Sequence, residues 1–172
     1  MQRNDKTERR PLVTAERARE LLDYNPETGV LRWRTKRRGQ KRNIATCLSS
    51  SGYSLIGLDY RLYRAHRVMW LLMTGKWPDH DIDHINGVRT DNRWVNLRSA
   101  TRTQNTYNRC AQRNNKSGYK GVFFHKRANR WQAVIGVDGK RIHLGCFRSP
   151  ELAAAAYARA AKIHHGDFAR AA

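Results

Sequence analysis

The sequence predicts an α+β fold in two parts, and three observations carry that expectation. A short strand, an Asn-Gly turn, a returning strand and a capped helix fit the stretch that begins "DIDHINGVRTDNRWVNLRSATRTQN" at residue 81. Three strands followed by an alanine-rich helix fit residues 117–170. Between them "NRCAQRNNKSG" has the polar, asparagine-rich composition of a linker. Charge divides the chain in the same places. The 172 residues hold 34 Lys plus Arg against 14 Asp plus Glu, a formal net charge of +20, yet residues 44–100 carry only seven basic against five acidic side chains.

Each element follows from its local pattern. Thr14 is placed to cap a short helix over 15–23, with Glu16 in its first turn. "NPETG" at 25–29 forces a turn into a strand at "VLRW", which runs into a basic stretch over 32–42 with seven basic side chains and no acid. That stretch reads either as a solvated arm or as a phosphate contact. "GYSLIGL" and "RLYR" form a hairpin turned at Asp59 and Tyr60. "AHRVMWLLMTG" is a buried helix closed by Gly75, in which Met and Trp serve the core and His66 is structural or supports a neighbouring site rather than acting as a ligand. Thr101 and Gln104 make a capping box, so a helix starts there with Asn105 in its first turn.

In the tail, "YKGVFFHK", "RWQAVIGV" and "KRIHLGCF" precede "SPELAAAAYARAAKIHHG". Trp131, Ala133 and Ile135 alternate with Arg130, Gln132 and Val134, and Ile142 and Leu144 with Arg141 and His143. Ser149 caps the helix, Pro150 occupies its first turn and Gly166 ends it. The alanines let this helix pack closely on the apolar sheet face and leave the basic face free.

A net charge of this size repels itself unless a polyanion is near, so nucleic acid is the expected partner. A membrane-surface binder is the rival class, but no run of 18 or more apolar residues exists. The N-terminal "MQRNDKTERRP" lacks the apolar core of a secretory leader. Cys47, Cys110 and Cys146 are odd in number and widely spaced, which points to a reduced, cytoplasmic protein rather than to a disulfide framework or a cysteine-rich zinc site.

The near-neutral middle is where chemistry can sit. Two strands, a loop and a helix would bring Asp83, His84, Asn96 and Asn105 together: oxygen donors for a hard divalent cation, with a histidine beside them able to take a proton near neutral pH. Adjacent residues on a strand face opposite ways, so Asp83 and His84 share a site only near a strand end or a bulge. A loop in which Asn and Asp merely cap turns is the competing reading of the same composition.

The stretch "DIDHINGVRTDNRWVNLRSATRTQN" resembles the HNH nuclease motif in the form found in phage and intron-encoded homing endonucleases, with Asn105 in place of the final His. The upstream "LLDYNPETGVLRWR" and "YRAHRVMWLLMTGKWP" resemble the segment that precedes this motif in phage members, so the likeness covers roughly residues 12–110. It implies a ββα-metal nuclease fold, His84 as general base, Asp83 and Asn105 as metal ligands, and Asn96 as the residue that holds the long loop or orients His84. An amide at the last position suits Mg2+ (or Mn2+) more than zinc. It further implies a phage-encoded protein acting in the cytoplasm of a bacterial host cell.

The tail resembles the plant ethylene-response-factor (APETALA-two) DNA-binding domain through "SGYKGV", the spacing of Trp131, Ala133 and Ile135, "LGCF" and the alanine-rich helix ending "HHGDFA". In that family a three-stranded antiparallel sheet enters the major groove. Lys120, Arg130 and Arg141 match its basic contact positions, and His125, Arg127, Gln132 and His143 lie on or beside the same face. Phe123 and His125 stand where arginines are usual, so no base preference carries over. The expectation is therefore a nuclease domain over 1–110 with all four site residues, a reader of double-stranded DNA over 117–172, no membrane partner, and a monomer slightly favoured. The runner-up is a DNA-binding regulator with an inactive HNH site; an RNA-binding accessory protein is a third class, without the aromatic platform of the usual RNA modules.

Overall fold

The computed structural model describes residues 12–35, 43–112 and 114–170, so most of the basic stretch at 32–42 lies outside the described residues. The fold mixes short helices with small antiparallel sheets and divides into two compact units. One runs to His84 and includes Val88–Arg98; the other comprises Ile85–Gly87 and everything from Ser99. The division falls at Arg98 and Ser99 rather than at the linker.

The first unit opens with α1 (Ala15–Leu21), two residues shorter than expected because Leu22 already turns extended. Thr14 Oγ1 accepts a hydrogen bond from the Arg17 amide and supplies the cap. β1 (Leu22–Asn25) and β2 (Val30–Trp33) pair in register Leu22↔Trp33, and between them Asn25 Oδ1 accepts from the amides of Glu27 and Thr28. A second sheet has the order β3-β4-β5, from β3 (Cys47–Leu48), β4 (Ser54–Leu58) and β5 (Arg61–Arg64). Asp59 and Tyr60 take φ of 44° and 62°, the left-handed pair that matches the twist of a two-residue hairpin. α2 (Ala65–Thr74) follows without a break and ends at Gly75 with φ 77°. Its Ala65, Val68, Met69 and Leu71 close one core with Leu22, Leu31, Trp33, Ile56 and Leu58. β6 (Asp81–His84) then pairs with β7 (Leu97–Ala100).

The second unit holds α3 (Arg102–Tyr107), whose capping box is formed from both sides by Thr101 and Gln104. Its sheet has the order β10-β9-β8, from β8 (Val122–His125), β9 (Arg130–Val137) and β10 (Lys140–Phe147). α4 (Pro150–His165), capped by Ser149 Oγ on the Leu152 amide, packs on it chiefly through Ala153, Tyr157 and Ala161 against Ala133 and Ile135. One expectation holds only in part here, since Leu144 packs against the core but Ile142 and the strict alternation depart from it. Ile142 remains 37% exposed, and the register slips between His143 and Gly145 so that Leu144 sits in a bulge. β10 is an edge strand, and Gly145 at φ 127° absorbs the extra residue.

Candidate active site

β6 ends at His84, which meets the condition for two adjacent residues to serve one site. Asp83 and His84 are both buried, at 6% and 4% exposure. His84 Nε2 lies 3.0 Å from Asn92 Oδ1. With the amide oxygen as acceptor, Nε2 carries the hydrogen and the lone pair falls on Nδ1. Burial pushes the His84 pKa below the ordinary histidine value, against the opposing pull of the Asn92 hydrogen bond and of Asp83 and Asp91; Arg89 adds to the lowering. At neutral pH the ring is therefore an uncharged base.

Asn92 is the residue that sequence reasoning missed, and the upstream segment explains why it sits there. Tyr24 donates its hydroxyl to the Asn92 carbonyl at 2.7 Å, and the Trp94 amide donates to Pro26 O at 2.8 Å. Gly29, at φ 71°, lies so close that a Cβ there would stand 2.6 Å from Arg93 N and from Asn92 C. The turn "NPETG" is thus a clamp on the loop that presents Asn92 to His84. Asn96 works on the same loop, donating Nδ2 to the Asp91 carbonyl at 2.7 Å. The only sequence signal was "TDN", which reads as ordinary turn composition.

His66 stands edge-on to His84, ring centroids 5.1 Å apart at 86°. It is 3% exposed, and burial, then the neighbouring His84, Arg64 and Arg67, bring its pKa down to about 3. Its Nδ1 has no hydrogen-bond partner among the described residues.

Asp83 does not present an open carboxylate. Its Oδ2 accepts from Arg98 Nε at 2.9 Å and from Nη2 at 2.8 Å, an ion pair that sequence reasoning also missed. No group of three or more His, Cys, Asp or Glu that could hold a metal ion occurs among the described residues. In kind the donors fit a hard cation, since Asp83 supplies a carboxylate and no thiol takes part; such an ion keeps several waters and needs few protein ligands. Asn105 lies on α3, within the second unit.

On the tail sheet, the register Phe123↔Gln132, His125↔Arg130 and His143↔Val134, with Arg141 opposite Gly136, sets these residues on the face away from α4. Arg127 lies in the short 3-10 turn between β8 and β9. Phe123, Arg130, Arg141 and His143 on that face are exposed. The same face walls a cleft of about 1080 Å³ whose other lining includes Arg109, Gln112, Asn114 and Lys116 of the linker. Lys120 departs from a simple surface contact: its Nζ donates to the Tyr107 carbonyl at 2.5 Å, and burial, then the nearby Arg170, lowers its pKa to about 8.

A buried histidine held by an amide thus lies beside the Asp83 carboxylate at the end of β6, a candidate base next to an anionic oxygen donor. The HNH endonuclease family matches residues 63–107, which include His66, Asp83, His84, Asn92, Asn96 and Asn105. The chain is 32% identical to protein 3.8 of Escherichia phage T7 over 114 residues, covering 64% of this chain and 92% of that protein. It is also 31% identical to an uncharacterized HNH endonuclease, L560, of Acanthamoeba polyphaga mimivirus over 124 residues, 71% of this chain and 63% of that one. An AP2-like ethylene-responsive transcription factor of Arabidopsis thaliana shares 43% identity over 58 residues, 34% of this chain but 12% of the plant protein. No solved structure matches significantly. The chain belongs to the HNH endonuclease family. No helix among the described residues is long and apolar enough to cross a membrane.

Proposed function

We propose that the protein is a divalent-metal-dependent DNA endonuclease of the HNH homing type, targeted to double-stranded DNA by its C-terminal sheet. The observation that carries the reading is the hydrogen bond between the buried His84 and Asn92, because it fixes the tautomer that a general base needs. His84 Nδ1 takes a proton from the attacking water; Asn92 holds the ring; Asn96 holds the loop that carries Asn92. Asp83, with Asn105, would hold Mg2+ or Mn2+, which when bound neutralises charge developing on the phosphoryl and leaving oxygens. The similarity to plant AP2-like factors, together with His125, Arg130, Gln132, Arg141 and His143 on one sheet face, supports the DNA-reading part.

A second reading, a DNA-binding regulator with an inactive HNH site, is favoured by one observation, the engagement of Asp83 Oδ2 by Arg98. A supercoiled-plasmid assay separates the two. The endonuclease nicks or linearises plasmid with magnesium and not with EDTA, and His84→Ala abolishes that activity while leaving DNA affinity nearly intact. Binding without any cutting, by wild type at any metal concentration, would establish the regulator instead.

A further inference from the structure

Tyr53, in the turn between β3 and β4, has two guanidinium groups over its ring: Arg64 at 4.5 Å and Arg89 at 4.8 Å from the centroid. The turn that presents it is tight, with the Ser49 amide bonded to Tyr53 O, the Tyr53 amide to Ser49 Oγ, and Arg89 Nη1 donating to Ser51 O at 2.6 Å. The same ring lies 5.5 Å from His66 and 6.2 Å from His84. Two cations are thus collected on one aromatic plate immediately beside the proposed base.

Charge balance shows what is missing from this arrangement. Two carboxylates of the strand and loop around His84 are already held by other arginines, Asp83 by Arg98 and Asp91 by Arg93. Among the described residues neither Arg64 nor Arg89 takes part in an ion pair, and both side chains are exposed. Two like charges gathered around one ring repel each other, and stacking on the half-buried Tyr53 offsets that only in part. Anionic groups along a nucleic-acid backbone offset both charges, and a planar guanidinium already fixed beside an aromatic ring is prepared to grip phosphate oxygens.

We infer that Arg64 and Arg89, held by Tyr53, form a clamp for the phosphodiester backbone next to the bond that His84 attacks. The ligand is nucleic-acid backbone phosphate, and the clamp acts without regard to base sequence. The naming of DNA rests on the endonuclease reading, so the test measures binding separately from cutting. Binding of a mixed-sequence duplex to full-length protein carrying His84→Ala, in EDTA and across a series of salt concentrations, reports the clamp whether or not the wild type cleaves. Added to that background, Arg64→Gln and Arg89→Gln should each weaken affinity on the order of tenfold. Each should also flatten the slope of log affinity against log salt by about 0.9. Arg64→Lys should keep the slope, because it keeps the charge. In the otherwise wild-type enzyme Arg64→Gln should raise KM far more than it lowers kcat. Arg89→Gln also loses the bond to Ser51, so Arg64→Gln, which breaks no side-chain hydrogen bond among the described residues, decides if the former unfolds. Unchanged affinity and slope in Arg64→Gln at wild-type thermal stability would overturn the clamp. Loss of plasmid cutting in wild type with the slope change intact would overturn the endonuclease reading and keep the clamp.

Discussion

Lowering the pH from 7 to 5 should destabilise the first unit through His66, by an amount that the burial of this side chain sets. The unfolded histidine titrates near 6.5, whereas the folded one is held down to about 3. Between these values the unfolded chain binds a proton that the folded chain refuses, so stability is complete above pH 6.5 and falls as pH drops toward 3. At pH 5 the loss is about 2 kcal/mol, and it depends only on the unfolded value as long as the folded one stays below 5. His66→Phe removes the titration while keeping a ring in the space beside His84 and Tyr53. The assay is urea unfolding at both pH values followed by tryptophan fluorescence, since Trp33, Trp70, Trp77 and Trp94 all belong to this unit. Wild type should lose about 2 kcal/mol more than His66→Phe between pH 7 and 5. His84 and His165 titrate in both proteins and cancel. Equal losses would refute the claim that His66 is buried and neutral.

Two further outcomes follow from the geometry. Asn92→Ala should lower kcat by roughly 10- to 100-fold with little change in DNA affinity, as loss of a partner that orients a reacting side chain does. The acid limb of its kcat/KM profile, already below the ordinary histidine range because His84 is buried, should move lower still, since the Asn92 bond raises that pKa; an unmoved limb would separate Asn92 from the base. A truncation ending near Ser117 should leave the first unit folded yet lose cleavage, checked by circular dichroism and the plasmid assay; full activity of the truncated protein would show that α3 needs nothing from the tail.

That last expectation reverses what the linker suggested, and the reason lies in contacts that span the linker. Tyr107, the last residue of α3, stacks on His165 at 3.7 Å and 9°, accepts the Asp138 amide on its hydroxyl, and receives Lys120 on its carbonyl. A six-residue helix has too few internal hydrogen bonds to persist alone. Asn105, which sequence spacing groups with the upstream site, is therefore held in place by residues of the tail. Periodicity reports which face a residue occupies, but it carries no information on which distant ring a helix end leans against. For the same reason the hairpin at Asp59 and Tyr60, the Gly75 stop and the Thr101 capping box were legible, because each is decided within a few residues. The bulge at Leu144, the exposure of Ile142 and the role of Asn92 were not, because each depends on a partner strand or on the distant turn at Gly29.

The pairing of Asp83 with Arg98 belongs to that second class, and it bears on how the site would work. A carboxylate at 6% exposure next to a base cannot sit without a countercharge, since an isolated buried charge is far too unfavourable. Arg98 provides it from the neighbouring strand through two nitrogens on a single oxygen. A divalent cation on the same carboxylate faces a resident positive charge, which weakens its hold unless substrate phosphate joins the cluster. Under the proposed assignment, two cations around one carboxylate would become tolerable once a phosphodiester added its own charge, so metal would be taken up together with DNA rather than ahead of it. Arg64 and Arg89 strengthen that coupling, because they too are balanced only by the backbone they would grip.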